Sequence, residues 1–151
     1  NSSASGADSA MSASITMPMG AYSFTIGVAD SDTGESSSGV SASGSLGGGT
    51  ATIGYSNQTL IASGNSSLST DGDSEVVGAT YVMSMDADTT ISLGYQNKKD
   101  ADSESSTQTD LSVERAMGGG ATVYLDIRNL TGDTATNADG TAIGFGTSVA
   151  F

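Results

Sequence analysis

The sequence predicts an all-β chain, an antiparallel meander of about nine strands. Three observations predict it. Apolar residues recur with a period of two along residues 11–151, the signature of a strand with one apolar and one polar face. Apolar stripes at helical spacing do not survive over ten residues. The connections between alternating segments are short and long in turn, as in a chain of hairpins.

The elements follow in order. The first segment, about 10–19, alternates Met11, Ala13, Ile15, Met17 and Met19 with polar residues. Gly20-Ala21 then leads into 22–30, with Tyr22, Phe24, Ile26 and Val28. A weaker row, Val40 to Leu46, marks 39–46, and Ala51, Ile53 and Tyr55 mark 50–56, the two joined around Gly47-Gly48-Gly49. Val77, Ala79, Tyr81, Met83 and Met85 mark 76–85. Asp86-Ala87-Asp88 joins it to 89–96, with Ile91, Leu93 and Tyr95. Leu111 and Val113 mark 108–117. Gly118-Gly119-Gly120 joins it to 121–130, with Val123, Leu125 and Ile127. Ile143, Phe145, Thr147, Val149 and Phe151 mark 141–151. The long connections, roughly 31–39, 57–75, 97–107 and 131–140, are rich in Ser, Asp and Gly.

Register can be tested in the short hairpins, because opposed residues share a face. A two-residue loop at Gly20-Ala21 pairs Met19 with Tyr22 and Met17 with Phe24. A four-residue loop 47–50 pairs Leu46 with Ala51. A three-residue loop 86–88 pairs Met83 with Ile91. The 118–120 loop pairs Val113 with Leu125 and Leu111 with Ile127, and on the other face Asp110 with Arg128, Ser112 with Asp126 and Glu114 with Tyr124. Apolar rows meet apolar rows in all four, and a one-residue slip would destroy the match.

Composition bounds the chemistry. The chain has 151 residues, 17 acidic against 4 basic, for a net charge of −13, and neither His nor Cys. Such a chain repels nucleic acid. It has no imidazole base, no thiol nucleophile and no zinc site of the usual ligands. A Ser nucleophile would depend on Lys98 or Lys99, which sit at a loop edge and read as solvated. Asp110, Glu114 and Asp126 as a glycosidase acid pair is a weaker reading than wall charges beside water. No enzyme is expected and no cofactor is required. Asp71, Asp73 and Glu75 resemble the start of a calcium loop without its full pattern. They are candidates for a weak Ca²⁺ site, or for a cation bridge to lipopolysaccharide phosphates.

The apolar face needs a cover. No apolar run approaches the ~20 residues of a membrane helix, but the strands are 9–11 residues long, the length of a tilted membrane strand. Short turns at one end and long loops at the other are the habit of outer-membrane barrels. The acids avoid the mid-strand apolar face. Arg115 falls on the apolar row beside a turn, where its head group can snorkel. Tyr22 and Phe151 lie at the short-turn end and Tyr55 and Tyr95 at the other, as two interfacial girdles would. Asp110, Glu114, Asp126 and Arg128 would then line a water-filled lumen and bias the ions in it. Asp110 and Arg128 could equally form a pair with no effect on transport.

The chain ends Ile143-Gly144-Phe145-Gly146-Thr147-Ser148-Val149-Ala150-Phe151. An alternating strand closing on Phe resembles the terminal strand of bacterial outer-membrane proteins. The resemblance implies that Phe145, Val149 and Phe151 form an assembly signal. With its Ser/Gly/Asp-rich strands, the chain resembles the C-terminal half of a Gram-negative general porin of the alphaproteobacterial, Rhodobacter type. That resemblance implies part of a 16-stranded transmembrane β-barrel in a homotrimer, embedded in outer-membrane lipid and lipopolysaccharide. Residues 10–151 would be strands eight to sixteen and residues 1–9 the remnant of an extracellular loop. The N-terminal barrel half, with its inward-folded constricting loop, would be missing. The function implied is passive diffusion of small hydrophilic solutes and ions. The alternative is a secreted, acidic, soluble β-protein, an adhesin or surface-fibre subunit with Ca²⁺-binding loops. A complete eight-stranded barrel behind a periplasmic leader is disfavoured by the clean alternation of Met11 to Met19.

Overall fold

The computed structural model describes residues 9–32, 34–60, 72–100, 104–132 and 139–150. They form nine strands: β1 (Ala10–Met19), β2 (Tyr22–Ser31), β3 (Ser36–Leu46), β4 (Gly49–Leu60), β5 (Gly72–Ser84), β6 (Thr89–Lys99), β7 (Ser105–Gly118), β8 (Ala121–Gly132) and β9 (Gly140–Val149). All nine belong to one sheet in chain order, and every neighbouring pair is antiparallel. Among the described residues β1 and β9 do not pair with each other.

Three of the four expected hairpin registers are present. Met19 faces Tyr22, Met83 faces Ile91, and Val113 and Leu111 face Leu125 and Ile127. The fourth is corrected. Leu46 faces Gly49 rather than Ala51, whose partner is Gly44. Gly47 and Gly48 have φ of 56° and 86°, the left-handed backbone that lets two residues close a hairpin. Because the slip is two residues, no side chain changes face. The Tyr81 hydroxyl donates to the carbonyl oxygens of Leu46 and Gly47, at 2.9 and 3.3 Å, and ties β5 to this turn. Several strands also run further toward the long connections than the apolar pattern indicates: β3 begins at Ser36, β4 ends at Leu60, β5 begins at Gly72 and β7 begins at Ser105.

The pairing across the long connections preserves the two faces. One row of the apolar face reads Met19, Tyr22, Gly44, Ala51, Tyr81, Leu93, Leu111, Ile127, Ile143 across all nine strands. It climbs steadily away from the short turns. Its members stand 1.5, 3.5, 6 and 8 residues from the midpoints of the four short hairpins, at 20.5, 47.5, 87 and 119. That is about 1.1 residues per strand. With about 3.3 Å per residue and about 4.8 Å between strands, the strands tilt about 37° from the normal to the line of turns, within the range of closed barrels.

The sheet has one layer. Among the described residues no hydrophobic side chain is buried, and Ser74 alone is buried at all. Ile15, Ile53, Leu93 and Ile143 are each about half or more exposed. A soluble domain of this length covers its apolar face with a second layer; here nothing in the chain does.

Candidate functional site: the polar wall

The polar face divides in two. On β1–β5 it is built of Ser, Thr, Gly and a few neutral residues, with no charged side chain among the described residues. Hydroxyls join neighbouring strands: Thr16 and Thr25 Oγ1 are 2.9 Å apart, and Ser23 and Ser43 Oγ 2.8 Å. Such Thr and Ser pairs stabilise the sheet while leaving a water-compatible surface. On β6–β8 the same face carries Lys98, Asp110, Glu114, Asp126 and Arg128.

The pattern of residues two apart on β7 and β8 places the four expected wall residues together. Asp110 opposes Arg128, Ser112 opposes Asp126 and Glu114 opposes Tyr124. Arg128 Nε donates to Asp110 Oδ1 at 2.8 Å, and Gln108 Nε2 donates to Asp110 Oδ2 at 2.8 Å. Asp110 is thus neutralised and held by both oxygens. Asp126 and Glu114 have no hydrogen-bond or ion-pair partner among the described residues. On the neighbouring strand, Ala142 opposes Arg128 and Gly144 opposes Asp126. Six polar-face residues therefore form two rungs on three strands, Asp110, Arg128 and Ala142 above Ser112, Asp126 and Gly144. They line a concavity of about 400 Å³. The sequence analysis did not include Ala142 and Gly144. Their contribution is the side chain they lack, visible only once β9 is paired to β8.

The other expected site residues fall elsewhere. Phe145 and Val149 lie on the apolar face of β9, opposite Leu125 and Ala121, with Phe145 84% exposed; Phe151 lies outside the described residues. Asp71 is outside them too. Asp73 and Glu75 do not belong to a loop: both are on β5, whose start at Gly72 draws them into the ladder. Thr59 Oγ1 donates to Asp73 at 2.8 Å and the Tyr55 hydroxyl to Glu75 at 3.1 Å. Among the described residues no group of three acids is arranged to hold a metal ion. These acids sit on the apolar side of the sheet, at its long-connection rim, and Tyr55 beneath them presents its hydroxyl upward. Arg115, at the opposite rim, donates to Thr89 Oγ1 at 2.8 Å and reaches Asp86 at 3.4 Å. Its head group leaves the apolar row for the turn, as snorkelling requires.

Comparison with known proteins agrees with this architecture. A family model described as Gram-negative porin matches residues 1–148. A refined porin structure superposes with a TM-score of 0.72 at 18% identity, over 91% of this chain and 50% of that one. The outer membrane protein OmpT of Vibrio cholerae, folded in vitro, gives 0.72 at 16%, over 93% and 55%. An anion-selective porin from Comamonas acidovorans gives 0.70 at 12%, over 90% and 43%. No curated protein matches significantly. The chain spans about half the length of the solved structures it resembles. A one-layer antiparallel sheet with porin stagger and an uncovered apolar face, matched over almost its whole length, belongs to the Gram-negative porin family of the outer membrane.

Proposed function

We propose that this chain forms part of the wall of a water-filled pore through which small hydrophilic solutes and ions diffuse passively. The observation that carries the proposal is the single sheet with one face wholly apolar and the other wholly polar, neither covered. Lipid suits the first face and water the second. Chemistry is not part of the function: the wall holds no nucleophile paired with a base, and its charges act on ions in transit.

Closure needs strands from elsewhere. β1 and β9 both run from the long-connection side to the short-turn side, as the first and last of nine alternating strands must. A second copy placed edge to edge would meet them in parallel. An antiparallel barrel therefore takes an odd number of further strands, and seven would complete the sixteen of the porin resemblance. Without them each edge would leave backbone N–H and C=O groups unsatisfied in hydrocarbon, at several kcal/mol apiece. A homotrimer in outer-membrane lipid and lipopolysaccharide is the proposed assembly, in line with the trimer form of the Vibrio cholerae OmpT neighbour.

The test combines topology with transport. Cysteine placed at Ser112, Glu114, Asp126 and Arg128 should react with a membrane-impermeant thiol reagent. Cysteine at Leu111, Val113, Leu125 and Ile127 should not. The barrel in liposomes should admit small neutral solutes. Equal labelling of both sets, or liposomes that stay tight, would overturn the proposal.

A further inference from the structure

The concavity between β7, β8 and β9 holds two unsatisfied charges of opposite sign. Asp126 has no partner among the described residues. Arg128 spends Nε on Asp110 and has no printed partner for its two terminal nitrogens, with its side chain 63% exposed. The two residues are two positions apart on β8 and share a face, so their Cβ atoms stand about 6.6 Å apart. Charge-assisted contacts are about 2.8 Å long. A small molecule with its two charges one carbon apart fits between such a pair and touches both. The floor beneath is open: a Cβ built on Gly144 meets nothing within 4 Å. The site lies midway along β8, with Asp126 sixth and Arg128 eighth of its 12 residues. The matching depth of the wall on β2–β6 is a concavity of about 450 Å³ lined by Thr25, Gly27, Ser41, Thr52, Gly54 and Thr80 among others, with no charge.

We infer that the β7–β9 concavity is a resting site for small zwitterionic solutes of the α-amino acid class, ammonium on Asp126 and carboxylate on the free nitrogens of Arg128. Asp110 is the positioning residue: its bond to Nε, braced by Gln108, fixes the guanidinium with its outer nitrogens toward the pocket. A simple cation gains from Asp126 alone and a simple anion from Arg128 alone. The zwitterion gains from both and carries no net charge to repel. The inference rests on the diffusion reading above, and its test separates the two.

The experiment measures swelling rates of liposomes carrying the complete barrel, with L-alanine and its uncharged near-isostere lactamide as probes. Half-exposed ion pairs being modest, Asp126→Asn and Arg128→Gln should each lower the alanine-to-lactamide ratio about threefold at low solute concentration, leaving the lactamide rate unchanged. Gly144→Leu fills the floor without a clash and should lower the ratio similarly. A ratio unmoved by either charge substitution overturns the site. A ratio lowered by Asp126→Asn but not by Arg128→Gln reduces it to a cation-attracting wall and overturns it too. If lactamide itself fails to enter with the unsubstituted protein, the diffusion reading falls, and the site with it.

Discussion

The two halves of the sheet share one outer face but differ on the inner one. β1–β5 present hydroxyls and glycines to the polar side with no charge; β6–β8 present five charged side chains. The outer face shows no such division: Ile53 and Leu125, or Val40 and Val123, occupy equivalent rows and are exposed alike. Lipid asks the same of every strand, so the outer face is uniform. A lumen asks only for water compatibility, which hydroxyls meet as well as charges do, so charge can be concentrated where it acts. Confined to one side, the field of Asp126 and Glu114 draws ions and dipoles along β7 and β8, while the hydroxyl side passes neutral solutes without preference.

The largest expected effect tests the uniform face. Lysine at a lipid-facing mid-strand position costs about 2–4 kcal/mol. Ile53→Lys and Leu125→Lys should both lose that much in urea unfolding from liposomes, whereas Thr52→Lys and Ser112→Lys on the polar face should lose little. If Ile53→Lys were tolerated and Leu125→Lys not, the neutral half would be facing water or protein on its outer side, and the comparison between halves would have to be redrawn.

Much of this arrangement is legible in the sequence. Period two specifies the faces, and the parity of the 118–120 hairpin alone brings Asp110 to Arg128. What escapes has physical causes. Counting Gly47 to Thr50 as a loop misses that two left-handed glycines close the turn by themselves, leaving Gly49 and Thr50 to the strand. Strand ends at the long connections escape because Ser36, Asp73 and Ser105 pair through backbone alone, in a region where no apolar face marks the strand. Most of the concavity escapes because its shape is set by side chains that are absent, at Ala142 and Gly144, on a strand whose register no short turn specifies.

A second, smaller effect contrasts two glycines, one in each half. The Tyr22 ring lies over Gly44, its cross-strand partner, and a Cβ there would meet the ring at 2.2 and 2.7 Å. Gly144 has open space at the same point. Gly44→Ala should therefore cost about 1–3 kcal/mol by overpacking, while Gly144→Ala should change unfolding by only a few tenths of a kcal/mol, the ordinary range of surface substitutions. A small loss at Gly44 would mean that Tyr22 swings aside freely and does not hold β2 to β3.

The smallest effect concerns the Asp86–Arg115 contact at the short-turn rim, beyond the membrane-spanning part of β5 and β7. The Asp88 amide donates to Asp86 Oδ1 at 2.9 Å. That bond first, then one with Thr89, and last the Arg115 guanidinium, hold the Asp86 carboxyl below its ordinary 3.8. A carboxyl whose folded value is depressed stabilises the fold at every pH above its unfolded value, and that contribution disappears as pH falls through the folded value. Asp86→Asn should therefore lower the melting temperature slightly at pH 7 and by progressively less below pH 3.8, until the two proteins melt together. The carboxyl is fully exposed, so salt screens the ionic part, and 1 M salt should narrow the gap at neutral pH. Arg115→Gln tells the ionic part from the turn hydrogen bonds: it should lose only the salt-sensitive share. A gap that widens on acidification would show that Asp86 is held protonated, and that Arg115 is anchored at the rim by Thr89 alone.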